Sequence, residues 1–117
     1  LVDIYPTLVE AAGLPVPQKF DGVSLAPLFK NPAALWDRAV VSTWLPNNHV
    51  VIKDQWRYIR YREGNEELYD LRADPDEFTN LAADPKLAET KAALARWLPK
   101  QNAPLLQVPR GKKQKGE

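Results

Sequence analysis

Between residues 39 and 71 the sequence alternates short runs of β-forming side chains with turns too tight for anything but antiparallel neighbours. Ala39 to Trp44 is apolar and β-branched, and Pro46-Asn47-Asn48 breaks it into a loop. His49 to Lys53 is the next strand, and Asp54-Gln55 turns the chain into Trp56 to Arg62. There Trp56, Tyr58 and Arg60 alternate with Arg57, Ile59 and Tyr61, as the two faces of a strand require. Glu63-Gly64-Asn65 is a hairpin signal, and Glu66 to Leu71 is the returning strand. A parallel connection takes a dozen residues or more, so this spacing predicts about four strands in an antiparallel meander.

A sheet with one apolar face needs a cover, and the sequence supplies one. Asp74-Pro75-Asp76 closes the sheet, and Asp84-Pro85 opens a helix with an aspartate cap and proline in the first turn. Leu87, Leu94 and Leu98, with Trp97 beside them, form an apolar stripe, and Pro99 stops the helix. Ahead of the sheet, Asp3 is placed to cap a helix carrying Ile4 and Leu8, with Pro6 in its first turn and Gly13 at its end. Leu14-Pro15-Val16-Pro17 reads as extended loop, Asp21-Gly22 as a turn, and Ser24 as the cap of a short helix carrying Leu25, Leu28 and Phe29. The fold class is α+β: a four-stranded antiparallel sheet packed by a C-terminal helix and preceded by a helix-loop segment. No internal repeat is present.

With 117 residues, one modest core is expected. The net charge of +1 gives no general attraction to nucleic acid or to an anionic membrane. The exception is Arg110-Gly111-Lys112-Lys113-Gln114-Lys115, within a segment (residues 104–117) read as a disordered basic tail, with a binding arm as the alternative. No run is long and apolar enough to span a bilayer, and no signal peptide is visible. The sequence holds no methionine, which reads as a processed or excised piece of a longer chain.

Catalytic constellations are scarce. With no cysteine and the single histidine His49, a zinc site of the usual His/Cys kind cannot be built. A Ser-His-Asp triad has His49 as its sole route, and no serine sits in a Gly-x-Ser-x-Gly elbow. The five glycines are scattered and make no phosphate loop. Asp70, Asp74, Asp76 and Glu77 lack the central glycine of a calcium loop and read as a capped turn. Trp56 to Arg62 could stack nucleic-acid bases, but glutamates at 63, 66 and 67 are placed to pair with its arginines across the hairpin and cancel a basic groove. His49 is the one candidate binding residue. It opens a strand after a Pro-Asn-Asn loop, where a side chain can project past the sheet edge and an imidazole can meet an anionic ester; a structural role is the alternative.

Several segments, in order, carry a resemblance. They are Leu1-Val2-Asp3-Ile4-Tyr5-Pro6-Thr7-Leu8 running to Ala12-Gly13-Leu14-Pro15, then Asp21-Gly22-Val23-Ser24-Leu25-Ala26-Pro27-Leu28. Trp56-Arg57-Tyr58-Ile59-Arg60-Tyr61 follows, then Glu67-Leu68-Tyr69-Asp70-Leu71 with Asp74-Pro75-Asp76-Glu77 and Asn80-Leu81-Ala82. Together they resemble the C-terminal region of sulfatases, in the subgroup that includes iduronate-2-sulfatase and bacterial polysaccharide sulfatases. The resemblance implies that residues 1–35 end a large α/β sulfatase domain of the alkaline-phosphatase-like kind, and that residues 36–103 form the small C-terminal subdomain. It implies calcium and a formylglycine, made from a Cys/Ser-x-Pro/Ala-x-Arg motif, in the large domain; that motif is not in this sequence, so no catalytic or metal residue carries over. The implied partners are that large N-terminal domain and, through it, a sulfated carbohydrate, with neither nucleic acid nor membrane; the implied location is secreted, periplasmic or lysosomal.

Three functions compete at this point: the inert closing segment of a sulfatase, a free-standing binding module for sulfated or anionic glycans using His49 and the arginine strand, and a purely structural subdomain. Residues 1–29 weigh against the free-standing module, which has no need of an apolar helix and loop matching the end of another domain.

Overall fold

The computed structural model describes residues 1–15, 20–102 and 104. The expected basic tail from residue 105 onward and the Val16-Pro17 part of the expected loop lie outside the described residues. Two compact units divide the chain, Leu1–Asp37 and Arg38–Glu117.

In the first unit, α1 spans Ile4–Ala11 and α2 spans Ala26–Lys30. Gly13, at φ +69°, lets α1 end in a paired turn: its own N–H reaches the Glu10 carbonyl and that of Leu14 reaches Val9. Asp3 flanks α1 as expected but makes no side-chain cap; its carboxylate instead accepts from the Val23 N–H at 2.7 Å. The Asp21-Gly22 turn passes so close to the start of the chain that a Cβ on Gly22 would sit 2.0 Å from the Val2 carbonyl oxygen, which only glycine permits. Ser24 does serve the start of α2, accepting from the Ala26 N–H at 3.2 Å.

In the second unit, β1 (Val40–Thr43), β2 (His49–Lys53), β3 (Trp56–Arg60) and β4 (Glu66–Asp70) form an antiparallel sheet in the order β1-β2-β3-β4. This is the meander that the tight turns required. The register sets Val51 opposite Tyr58 and Tyr58 opposite Leu68, so the three share one face, and all are wholly buried. The cover begins as a 3₁₀ turn, Pro85–Leu87, with Asp84 accepting from the Lys86 N–H, and continues as α3, Ala88–Ala95. Leu94 completes the core, and Leu87 and Leu98 pack against it. The helix is shorter than the sequence pattern indicates, because proline and the Asp84 cap open it as a 3₁₀ turn. After β4, Asp74 does the capping expected of the acidic cluster, accepting from the N–H groups of Phe78 and Thr79 at 3.1 and 2.8 Å. Among the described residues no helix is long and apolar enough to cross a membrane.

Candidate functional site

The loop between β1 and β2 departs most from relaxed backbone. Leu45 and Asn47 stand at φ +60° and +67°. Asparagine tolerates this region, but for a leucine it costs about 1–2 kcal/mol. The loop nonetheless holds its form. The Trp44 N–H donates to the Asn48 carbonyl at 3.0 Å, and the Asn48 side chain accepts from the Arg62 N–H at 3.1 Å, tying the loop to the chain just past β3. Trp44, 77% exposed, and Leu45 stand out at its tip.

His49 follows directly. The side chain does not project past the sheet edge as the sequence reading has it: the residue is only 5% exposed. Two features account for this. β2 is an inner strand. The two-residue period also puts His49 on the face of Val51, beneath the helical cover. Its Nδ1 lies 2.9 Å from the Thr43 hydroxyl of β1, whereas its Nε2 is buried without a hydrogen-bond partner. A hydroxyl beside an imidazole has the first two members of a nucleophile-and-base relay. No acid orients this ring through Nε2, so the relay is incomplete.

Two hollows flank the histidine. On the sheet's helix side, a cleft of about 240 Å³ is lined by Asn47, His49, Arg60, Arg62, Leu98 and Asn102. On the other side, an apolar hollow of about 230 Å³ is lined by Trp44, Val50, Ile59 and Tyr61, among others. The cleft unites the β1–β2 loop, the end of β3 and the chain beyond α3.

The arginines of the third strand are mostly paired. Arg60 reaches Glu66 at 3.6 Å across the hairpin as anticipated, but Arg57 takes Glu77 at 2.7 Å from beyond β4. Glu67 pairs with no arginine of the strand. It accepts instead from the Tyr61 and Tyr69 hydroxyls at 3.0 and 2.9 Å, and burial, then that carboxylate, pushes both phenols up in pKa. Glu66 is the hub of the unit, receiving the Tyr58 hydroxyl and the Lys91 ammonium at 2.9 Å. Burial foremost, then the Glu66 carboxylate, pushes Tyr58 up to about 12, while the Tyr58 hydroxyl and Lys91 hold Glu66 below the usual carboxylate range. Arg62, on the rim of the cleft, has no carboxylate partner among the described residues.

No group of three or more His, Cys, Asp or Glu among the described residues is arranged to hold a metal ion. Two guanidiniums, one of them paired with Glu66, two amides and a buried imidazole line one cleft. The sequence reading joined His49 to the loop before it, which holds Asn47, and to the arginine strand, which ends in Arg62, but left Leu98 and Asn102 apart. Their place at the cleft depends on how the chain returns after α3.

Comparison with known proteins accords with this architecture. The N-sulphoglucosamine sulphohydrolase C-terminal family matches residues 1–103. A "Sulfatase" of Formosa agariphila is 39% identical over 103 residues, covering 88% of this chain and 20% of its own. A "Delta 4,5-hexuronate-2-O-sulfatase" of Bacteroides thetaiotaomicron is 38% identical over 110 residues, covering 83% of this chain and 23% of its own. The solved structure of a 2-O GAG sulfatase superposes with a TM-score of 0.65 at 34% identity, over 81% of this chain and 23% of that one. The chain therefore spans about a fifth of the length of the curated relatives it matches.

Proposed function

The chain belongs to the N-sulphoglucosamine sulphohydrolase C-terminal family, and on that premise we propose that it is the closing portion of a sulfuric ester hydrolase. The observation that carries this is the match over residues 1–103 to relatives, called sulfatases, that are several times longer. Residues 1–35 then complete the large domain, and residues 36–103 form the small C-terminal subdomain. The exposed apolar side chains of the first unit support the assignment, since Ile4, Leu8, Phe29 and Leu35 are what a missing neighbour would cover.

Hydrolysis belongs to the large domain. The formylglycine and calcium of sulfatases find no fit here: there is no cysteine, no Cys/Ser-x-Pro/Ala-x-Arg motif, and no arranged set of metal-binding side chains among the described residues. The contribution of this chain is structure and a rim for the substrate, a sulfated carbohydrate, with the Trp44–His49 loop bordering the entrance. His49 acts there from beneath the surface.

Two preparations test the reading. The 117-residue chain, given an aryl sulfate and calcium, should show no turnover, and a longer polypeptide that carries the nucleophile motif upstream should hydrolyse the ester. Turnover by the short chain after purification to homogeneity, or an upstream sequence with no such motif, would overturn it. The free-standing glycan-binding module remains the less favoured reading, for want of any role in it for α1 and α2.

A further inference from the structure

We propose that the cleft between Asn47, Arg60, Arg62 and Asn102 binds a second acidic group of the carbohydrate, a sulfate or a uronate carboxylate, away from the ester that is cleaved. The inference rests on the sulfatase reading and goes beyond it by assigning the cleft a ligand. Charge is the first argument. Arg62 has no carboxylate partner among the described residues, and Arg60 holds Glu66 only at 3.6 Å, long for a charge-assisted hydrogen bond. A guanidinium fork matches the oxygens of a sulfate or carboxylate, and this cleft offers two.

Rigidity is the second argument. Asn47 is held at a positive φ, and the bond from the Arg62 N–H to the Asn48 side chain fixes the loop to the end of β3. The loop side and the β3 side of the cleft are therefore set before a ligand arrives, which limits the ordering that binding demands.

The third argument is the buried ring. His49 lines the cleft, is fixed through Nδ1 to Thr43, and leaves Nε2 with nothing to bond. Buried polar atoms without partners are rare, and this one belongs to a residue that lines the basic cleft. The neighbouring hollow lined by Glu63, Glu66 and Glu67, which meets the cleft at Tyr61, is acidic and repels the same group.

The test uses the 117-residue chain and three probes at matched ionic strength: sodium sulfate, sodium glucuronate and a 2-O-sulfated unsaturated uronate disaccharide. The readout is the NMR signals of the Arg60 and Arg62 side-chain N–H groups and of the His49 ring nitrogens. Saturable shifts at all three residues are expected with the disaccharide. Whichever simple anion reproduces them identifies the group bound. Arg62→Ala should weaken binding about ten-fold, with Arg62→Lys in between. Arg62 is exposed, so the backbone amide spectrum of either variant should otherwise match the parent and report that it is folded. No saturable shift at these residues with any probe, or undiminished binding by folded Arg62→Ala, would overturn the proposal. Neither result bears on ester hydrolysis by the longer polypeptide, which tests the sulfatase reading alone.

Discussion

A phenol with no exposed surface needs a partner for its hydroxyl, and Tyr58 has Glu66. Burial first, and the neighbouring carboxylate second, raise its pKa from 10.0 to about 12. An unfolded chain ionises that phenol at the ordinary value, so the stability it carries is whole below pH 10 and is lost as the pH rises from there to about 12. Glu66 works in the other direction. Its carboxyl is held below the ordinary 4.5, so its contribution is complete above that value and is lost as the pH falls through the lower folded-state pKa. Tyr58→Phe should cost about 1–3 kcal/mol by removing a hydrogen bond to a charged acceptor. It should also flatten, without abolishing, the alkaline decline, because Tyr61 and Tyr69 are raised as well. Urea unfolding at a series of pH values decides it, and an unchanged slope above pH 10 would remove Tyr58 from the account. The sequence placed Tyr58 on one face of its strand with Trp56 and Arg60, opposite Arg57, Ile59 and Tyr61, without deciding which face is inward. It could not show which glutamate the hydroxyl meets, because 63, 66 and 67 all lie on the turn or returning strand of the same hairpin.

At the scale of elements, the outer edge of β4 is covered by chain that is not itself a strand. The Asn80 side-chain oxygen accepts from the N–H groups of Leu68 and Ala82 at 3.1 and 2.9 Å, and its amide donates to the Glu66 carbonyl at 3.3 Å. The Leu81 N–H adds a bond to the Leu68 carbonyl at 2.8 Å. An open edge invites pairing with other chains, and this segment closes it at Leu68. Asn80→Ala should therefore cost about 1–2 kcal/mol and speed hydrogen exchange at the Leu68 amide. Unaltered exchange there would mean that Leu81 alone holds the edge. Strands were the most legible part of the fold: β2 runs from His49 to Lys53 as its pattern indicates, since period-two alternation and flanking turns both mark it. Ends were less so. Tyr61 and Arg62 continue the alternation of β3 in sequence, yet the Tyr61 N–H turns to the Asn65 carbonyl and begins the hairpin. Alternation also implied the buried place of His49, two residues before Val51, but its loop-edge position masked that signal. The cleft was legible only in part, because Asn47, Arg62 and Asn102 come together through the meander and the return past α3.

The whole molecule joins two units of unequal self-sufficiency. From Arg38 onward, β2, β3, β4 and α3 converge on Val51, Tyr58, Leu68 and Leu94. Removing the centre of that core, with Leu68→Ala, should cost about 2–5 kcal/mol, read as a shift in the urea midpoint. Leu1–Asp37 has no comparable centre: α1 buries Pro6 and Thr7, α2 buries Ala26, and Ile4, Leu8, Phe29 and Leu35 stay in contact with solvent. An isolated helix shorter than about 12 residues is marginal in water, so α1, with eight residues, depends on packing. Covering each exposed apolar side chain would contribute about 1.5–3 kcal/mol, and that gain is what a longer polypeptide can supply. Hydrogen exchange should therefore be fast across α1 and α2 in the 117-residue chain and slow in β2 and β3. In a polypeptide long enough to include the large domain, the amides of α1 should slow toward the rate of the sheet, while those of β2 and β3 should change little. Equal protection of α1 and the sheet in the short chain would show that the first unit needs no neighbour, and would count against its place at the end of a larger domain.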